Sequence, residues 1–252
     1  MSVIPSSLPG LARAGARFAL GVVYPPTCIA CAAATGEPHT LCARCWSEMR
    51  FIERPFCERL GTPFEVDLGV ALLSPAAIAD PPVFRRARAV ARYDETARRL
   101  VHRLKYGDRV ELARALAAMM ARAGAELLLD ADVIVPVPLH RSRLWWRRFN
   151  QAMALAGALS RTSGVRCDPF LLARVKRTRS QVGLTRTQRG DNLQGAFRVP
   201  ADAKPHLAGK RVLLVDDVVT TGATANACSR ALLRAGAESV DLLSFARVVT
   251  AG

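Results

Sequence analysis

Between residues 86 and 248 short apolar runs alternate with longer amphipathic ones. "RARAVARY" (86–93) changes from polar to apolar in steps of two, as a strand does. "DETARRLVHRLKY" (94–106) puts Ala97, Leu100, Val101 and Leu104 on one helical face, with Asp94 placed to cap its start. A second helix follows, with Leu112, Leu116 and Met120 inward and Gly124 near its end. "DVIVPVP" (132–138) is predicted as a buried strand ended by prolines, and "FNQAMALAGALSRTSG" (149–164) as a helix stopped by Gly164. "KRVLLVDDV" (210–218) predicts a strand, "ATANACSRALLRAGA" (223–237) a helix ending near Gly236, and "SVDLLSFARV" (239–248) a last strand. Strand and helix in alternation predict an α/β fold, a mostly parallel sheet covered by helices on both faces. Residues 176–195 are polar, basic and weakly periodic, which predicts a long mobile loop. No internal repeat or low-complexity tract is present.

The first third is different. Five of the seven cysteines fall between residues 28 and 57, and a stretch punctuated by Pro63, Pro75, Pro81 and Pro82 follows. We expect an N-terminal helix and cysteine module over 1–62 and an α/β domain over 63–252. No apolar run reaches the ~18 residues a membrane span requires. Arg13 and Arg17 before the apolar stretch Phe18–Tyr24 have the outline of a secretion signal. Leu11, Phe18 and Val22 also fit one face of a helix, which is the preferred reading and goes with a cytoplasmic location.

Cys28-x2-Cys31-x10-Cys42-x2-Cys45 is the spacing of a compact zinc site, two knuckles supplying four thiolates to one tetrahedral ion. Four protein ligands leave no open position, so the expected role is structural. A module this small needs such a staple to fold. The odd cysteine count and the CxxC pairs suit a reducing compartment. His39 is the alternative fourth ligand. Cys57 begins "CERLG", with Leu60 where a second cysteine of a pair would stand, so it is not assigned to a metal. Cys167 and Cys228 are read as packing residues.

The formal net charge is +15. Residues 141–190 alone hold twelve Arg or Lys against one acid, Asp168. Such a concentration suits a polyanion, either nucleic acid or a small ligand with several phosphates.

"VLLVDDVVTTGAT" (212–224) carries the most specific chemistry. Four apolar residues run into Asp216 and Asp217, then into Val218, Val219, Thr220, Thr221, Gly222, Ala223 and Thr224. In open α/β sheets ligands bind beyond the carboxyl ends of the strands. Two carboxylates there suit a vicinal diol, or the waters around a divalent metal. A glycine turn opening a helix presents N–H groups to a phosphate, and three threonines add hydroxyls. The stretch is a candidate cradle for a phosphorylated sugar. It has neither Walker A nor GxGxxG spacing.

These thirteen residues resemble the phosphoribosyl-pyrophosphate (PRPP) loop of type I phosphoribosyltransferases. The resemblance implies that Asp216 and Asp217 hold ribose hydroxyls, that residues 218–224 hold the 5′-phosphate, and that Mg2+ accompanies PRPP. "VIVPVPLHRSRLWWRRFNQA" (133–152) is similar to the pyrophosphate region of the ComF branch of that family. Arg141, Arg143, Arg147 and Arg148 are placed to pair with pyrophosphate oxygens, Arg143 and Arg148 ahead of the others, and His140 is either a ligand group or a surface residue. "KRTRSQVGLTRTQRGDNLQGAF" (176–197) also looks like the ComF pattern, matched by Arg177 or Arg179, then Gln181, Leu184, Arg189, Asn192 and Phe197. In the family a flexible loop closes over PRPP, and Arg179, Gln181 and Arg189 would belong to it. Lys105 is brought toward the site by resemblance alone. ComF-type proteins carry a zinc module ahead of the transferase domain; relatives often have a further CxxCG pair, incomplete here.

Two functions follow from the resemblance. One is a phosphoribosyltransferase, orienting PRPP and stabilising its leaving group for an unidentified acceptor. The other is a single-stranded DNA-binding accessory protein working with DNA-uptake machinery in natural transformation. A PRPP-sensing regulator without catalysis is a third possibility.

Overall fold

In the computed structural model, residues 26–67, 69, 72–106, 109–139, 150–176 and 193–249 are described. The chain divides into two units, residues 1–48 and 49–252. In the first, the described segment is a cysteine hairpin followed by helix α1 (Ala43–Glu48).

The second unit holds a four-stranded parallel sheet of β1 (Ala87–Arg92), β2 (Val133–Pro136), β5 (Arg211–Val219) and β6 (Ser239–Arg247), in the order β1-β6-β5-β2. Every residue of β2, and every residue of β6 after its first, is buried. Strands buried along nearly their whole length belong to a sheet covered on both faces. On one face Val212, Leu214, Val240 and Leu242 join Ala225, Cys228 and Leu232 of helix α8 (Ala223–Arg234) in a core cluster. The intervening positions, among them Leu213, Val215 and Leu243, alternate to the other face. Gly124 has no room for a side chain, because a Cβ there would lie 2.7 Å from Leu243 Cδ1.

The remaining helices described in this unit are α2 (Pro75–Ala79), α3 (Glu95–Tyr106), α4 (Arg109–Ala123), α5 (Ala125–Asp130), α6 (Gln151–Ser163) and the short α7 (Lys204–Leu207). A two-stranded antiparallel ribbon pairs β3 (Ala173–Arg174) with β4 (Phe197–Arg198). The predicted caps are present. Asp94 Oδ1 accepts the Ala97 N–H at 2.8 Å, and Gly164 closes α6 at φ 77°. Ala97, Leu100, Val101 and Leu104 are all buried. Helix α4 ends at Ala123, beside the predicted Gly124; α8 stops at Arg234, two residues before Gly236; and α5, beyond Gly124, is an element that the apolar pattern did not predict.

The alternation in "RARAVARY" conceals a buried charge. Arg88 is 3 % exposed, where a half-covered strand would turn it to water. Its guanidinium pairs with Glu58 at 2.6 Å and Glu126 at 2.5 Å, and lies 4.4 Å from the Phe56 ring centre. Asp241, equally buried on β6, is held by Arg85 at 2.6 Å and Arg86 at 2.7 Å. Both are buried ions made tolerable by partners of opposite sign.

Candidate functional site

Strand β5 runs two residues past its carboxylates, so Asp216 and Asp217 lie within the paired strand near its carboxyl end. Asp216 Oδ1 accepts the Asp217 N–H at 2.9 Å, and Asp217 Oδ1 accepts the Val218 N–H at the same distance. Lys105, in the last turn of α3, brings its Nζ to 3.3 Å from Asp217 Oδ2. The approach that resemblance alone suggested for Lys105 is therefore present. Loss of solvation, with the neighbouring Asp217 charge next in size, pushes the Asp216 carboxyl well above the usual carboxylate range. The pair is short of positive charge, and Lys105 offsets only part of that deficit.

The chain then turns. Thr220 is exposed and Thr221 half-buried, and Gly222 enters α8 at φ 78°, a backbone conformation that disfavours any side chain. Thr221 Oγ1 accepts the Ala223 N–H at 3.4 Å, and no side chain from the N-cap position closes the helix. A first turn of this kind directs N–H groups and the positive end of the helix dipole outward. Asn226, one turn in, is fixed by the Val83 N–H at 2.9 Å from its Oδ1. Cys228 lies fully buried behind the site. Burial first, and then the Asp216 charge, holds its thiol well above its usual range. It is a packing residue, as expected.

At the neighbouring strand, Val137 N–H continues the sheet by donating to Val215 O at 2.9 Å. Asn150 Oδ1 caps α6 by accepting the Met153 N–H at 3.4 Å, and its Nδ2 donates to Val137 O at 3.3 Å. One side chain thus joins the two ends of the segment between β2 and α6. His140, Arg143 and Arg148 lie outside the described residues, as do Arg179, Gln181 and Arg189. The site that is described therefore consists of Asp216, Asp217, Lys105 and the turn from Val218 to Thr224. Two carboxylates beside a helix that opens on a glycine can hold a diol, or a hydrated cation, next to a phosphate.

In the first unit the four predicted zinc ligands come together. One sulfur each from Cys28, Cys31, Cys42 and Cys45 lie within 4.8 Å of one another. Cys28 Sγ accepts the N–H groups of Ala30 at 3.4 Å and Cys42 at 3.3 Å. Burial opposes the Cys28 thiolate, but hydrogen bonds from Cys42, Cys31 and Ala30 outweigh it and bring the group to about 6. Cys45 is pushed the other way, first by burial and then by the sulfurs around it. Four sulfurs this close cannot all ionise without a cation between them, and a zinc ion supplies that charge. His39 is not part of the cluster.

Comparison with known proteins covers both parts. Residues 19–75 match the Double zinc ribbon domain family, and residues 150–248 the Phosphoribosyl transferase domain family. Over 239 residues the chain is 32 % identical to the DNA utilization protein YhgH of Escherichia coli strain K12, covering 92 % of this chain and 95 % of that one. The chain belongs to the ComF family. Competence protein F of Haemophilus influenzae is 31 % identical over 213 residues, covering 82 % of this chain and 90 % of that one. Competence protein ComFC of Bacillus subtilis is 27 % identical over 215 residues, covering 82 % and 84 %. As a ComF-family protein it joins a zinc ribbon to a phosphoribosyltransferase domain and belongs with competence and DNA-utilization proteins. Among the described residues no helix is long and apolar enough to cross a membrane.

Two features of the site escaped the sequence reading. Asn150 was seen only as part of Phe-Asn-Gln; its place just before an apolar-periodic segment is the usual signal of a cap. The second is the pair Ser74 and Ala77 inside the proline-punctuated stretch: the two-residue gaps Cys57-x2-Leu60 and Ser74-x2-Ala77 repeat those within the two knuckles of the zinc site, without the cysteines that make such gaps recognisable.

Proposed function

We propose that this chain binds PRPP with Mg2+ at the carboxyl end of β5. The observation that carries the proposal is the carboxylate pair of Asp216 and Asp217 set five residues before a helix whose N-cap is a glycine, with Lys105 on one carboxylate. In this reading Asp216 and Asp217 take the ribose hydroxyls, and the turn from Val218 to Thr224 takes the 5′-phosphate through N–H and hydroxyl donors. The cation supplies the positive charge that the aspartate pair lacks and that a diphosphate leaving group needs. Lys105 orients the Asp217 carboxylate. His140, Arg143 and Arg148 are proposed for the pyrophosphate, and Arg179, Gln181 and Arg189 for a covering loop. Transfer of the ribosyl group to an acceptor is the activity this arrangement would serve, with the protein contributing orientation and charge stabilisation.

The test is calorimetric titration with PRPP and Mg2+, beside the Asp216→Asn/Asp217→Asn double variant. Binding in the parent that is lost in a folded variant supports the assignment. Equal binding in both overturns it.

A second reading is favoured by a separate feature. Between β4 and α8 runs a groove of about 690 Å3 whose floor includes Leu193, Phe197 and Ala231. Arg198, Lys204, Arg230 and Arg234 line it, with no carboxylate among its described lining residues. Such a surface suits the backbone of single-stranded DNA, a ligand fitting a DNA-utilization family. Affinity for an oligonucleotide would fall steeply with salt and weaken when Arg230 and Arg234 become Ala, with PRPP binding unchanged. Affinity indifferent to those substitutions would dismiss the groove.

A further inference from the structure

The hairpin that begins at Cys57 repeats the one that begins at Cys28, bond for bond. In the first, Cys28 N–H donates to Ala33 O at 2.7 Å and Ala32 N–H to Cys28 O at 3.0 Å. Thr27 and Ala34 form an antiparallel bridge, and Ala32 has φ 63°. In the second, Cys57 N–H donates to Thr62 O at 2.8 Å and Gly61 N–H to Cys57 O at 2.7 Å. Phe56 and Pro63 form the bridge, and Gly61 has φ 66°. Even the second arms correspond. Cys42 N–H donates to Cys28 Sγ at 3.3 Å, helix α1 starts at the next residue, and Cys45 N–H turns back to Cys42 Sγ at 3.5 Å. Ser74 N–H donates to Cys57 Sγ at 3.3 Å, helix α2 starts at the next residue, and Ala77 N–H turns back to Ser74 Oγ at 3.3 Å.

The four ligand positions of the first ribbon are Cys28, Cys31, Cys42 and Cys45. Their counterparts in the second are Cys57, Leu60, Ser74 and Ala77. Leu60 and Ala77 offer a metal nothing, and a neutral Ser74 hydroxyl is a poor zinc ligand. Leu60 instead packs against the hydrophobic core, and Ala77 is 1 % exposed. The donor set does not fit the second ion that a double zinc ribbon implies.

One acceptor survives. Cys57 is fully buried, with the amides of Leu60 at 3.4 Å and Ser74 at 3.3 Å aimed at its sulfur. Those amides give the buried sulfur its hydrogen bonds without an ion.

We infer that the second ribbon is a metal-free copy of the first, held by its backbone hydrogen bonds and by the Leu60 and Ser74 amides on the Cys57 sulfur. It meets the sheet at the edge strand β1, where the Ala87 N–H donates to Arg59 O at 2.9 Å and the Arg88 guanidinium to Glu58 O at 2.8 Å. The second ribbon therefore braces the sheet edge without metal, and zinc serves the first ribbon alone.

Metal analysis of the full-length chain is the first test. One zinc per chain is expected, falling to none in Cys28→Ser; two per chain, or zinc retained by Cys28→Ser, overturns the inference. Two further variants test the second ribbon directly. Cys57→Ser and Ser74→Ala are each expected to keep the one zinc; loss of zinc from either overturns the inference.

Discussion

Replacing Asp216 by Asn should strengthen the fold and abolish the ligand response at once. Loss of solvation and the Asp217 charge hold the Asp216 carboxyl above the usual range, so the folded state binds its proton more tightly than the unfolded chain does. The sign follows from linkage. Its contribution is intact below the ordinary carboxylate range and is lost as pH rises through the raised folded value. Near neutrality the ionised Asp216 is a cost, and Asn removes it while keeping an oxygen to accept the Asp217 N–H. With PRPP and Mg2+ at a hundred times the dissociation constant, the parent should gain about 2.7 kcal/mol. In a unit spanning residues 49–252, that corresponds to a rise of about 5–11 °C in melting temperature. Thermal unfolding at pH 5 and pH 8, with and without ligand, measures all of this. Without ligand, Asp216→Asn should melt above the parent at pH 8, with a smaller difference at pH 5. With ligand, the parent should shift and the variant should not. A variant that melts below the parent at pH 8, or that keeps the ligand shift, refutes the reasoning.

Arg88→Met should destabilise the larger unit by about 2–3 kcal/mol, because Glu58 and Glu126 lose their buried partner while staying partly open to water. Denaturant unfolding measures it, and adding Glu58→Gln and Glu126→Gln should recover part of the loss. Burial works against the Glu58 charge, but Arg54 and Arg88 hold its carboxyl below the usual range. That contribution is present at neutral pH and should fade on acidification. Cys28→Ser should release zinc and unfold the cysteine hairpin while the sheet keeps its hydrogen-exchange protection. Loss of protection across β5 and β6 would contradict it.

The strands and helices were readable because burial leaves periodicity behind. Apolar runs predicted β2, β5 and β6, and faces spaced by three and four predicted α3 and α4. Cysteine spacing predicted the first ribbon, since a tetrahedral ion demands four sulfurs in a small hairpin. The Asp-Asp-Thr-Thr-Gly stretch was readable for a similar reason, as its chemistry is contiguous in the chain.

What tertiary structure decided were relations between distant residues. Arg88 reads as the polar side of a half-exposed strand; only the arrival of Glu58 and Glu126 makes it a buried ion. Lys105 reaches Asp217 because α3 ends beside β5, a distance no local pattern encodes. The second ribbon is the clearest case. Its backbone hydrogen bonds persist with three of the four ligand positions changed, because main-chain donors and acceptors and a positive φ define the hairpin. Sequence reports side chains, and there the side chains had lost the pattern that the backbone retained.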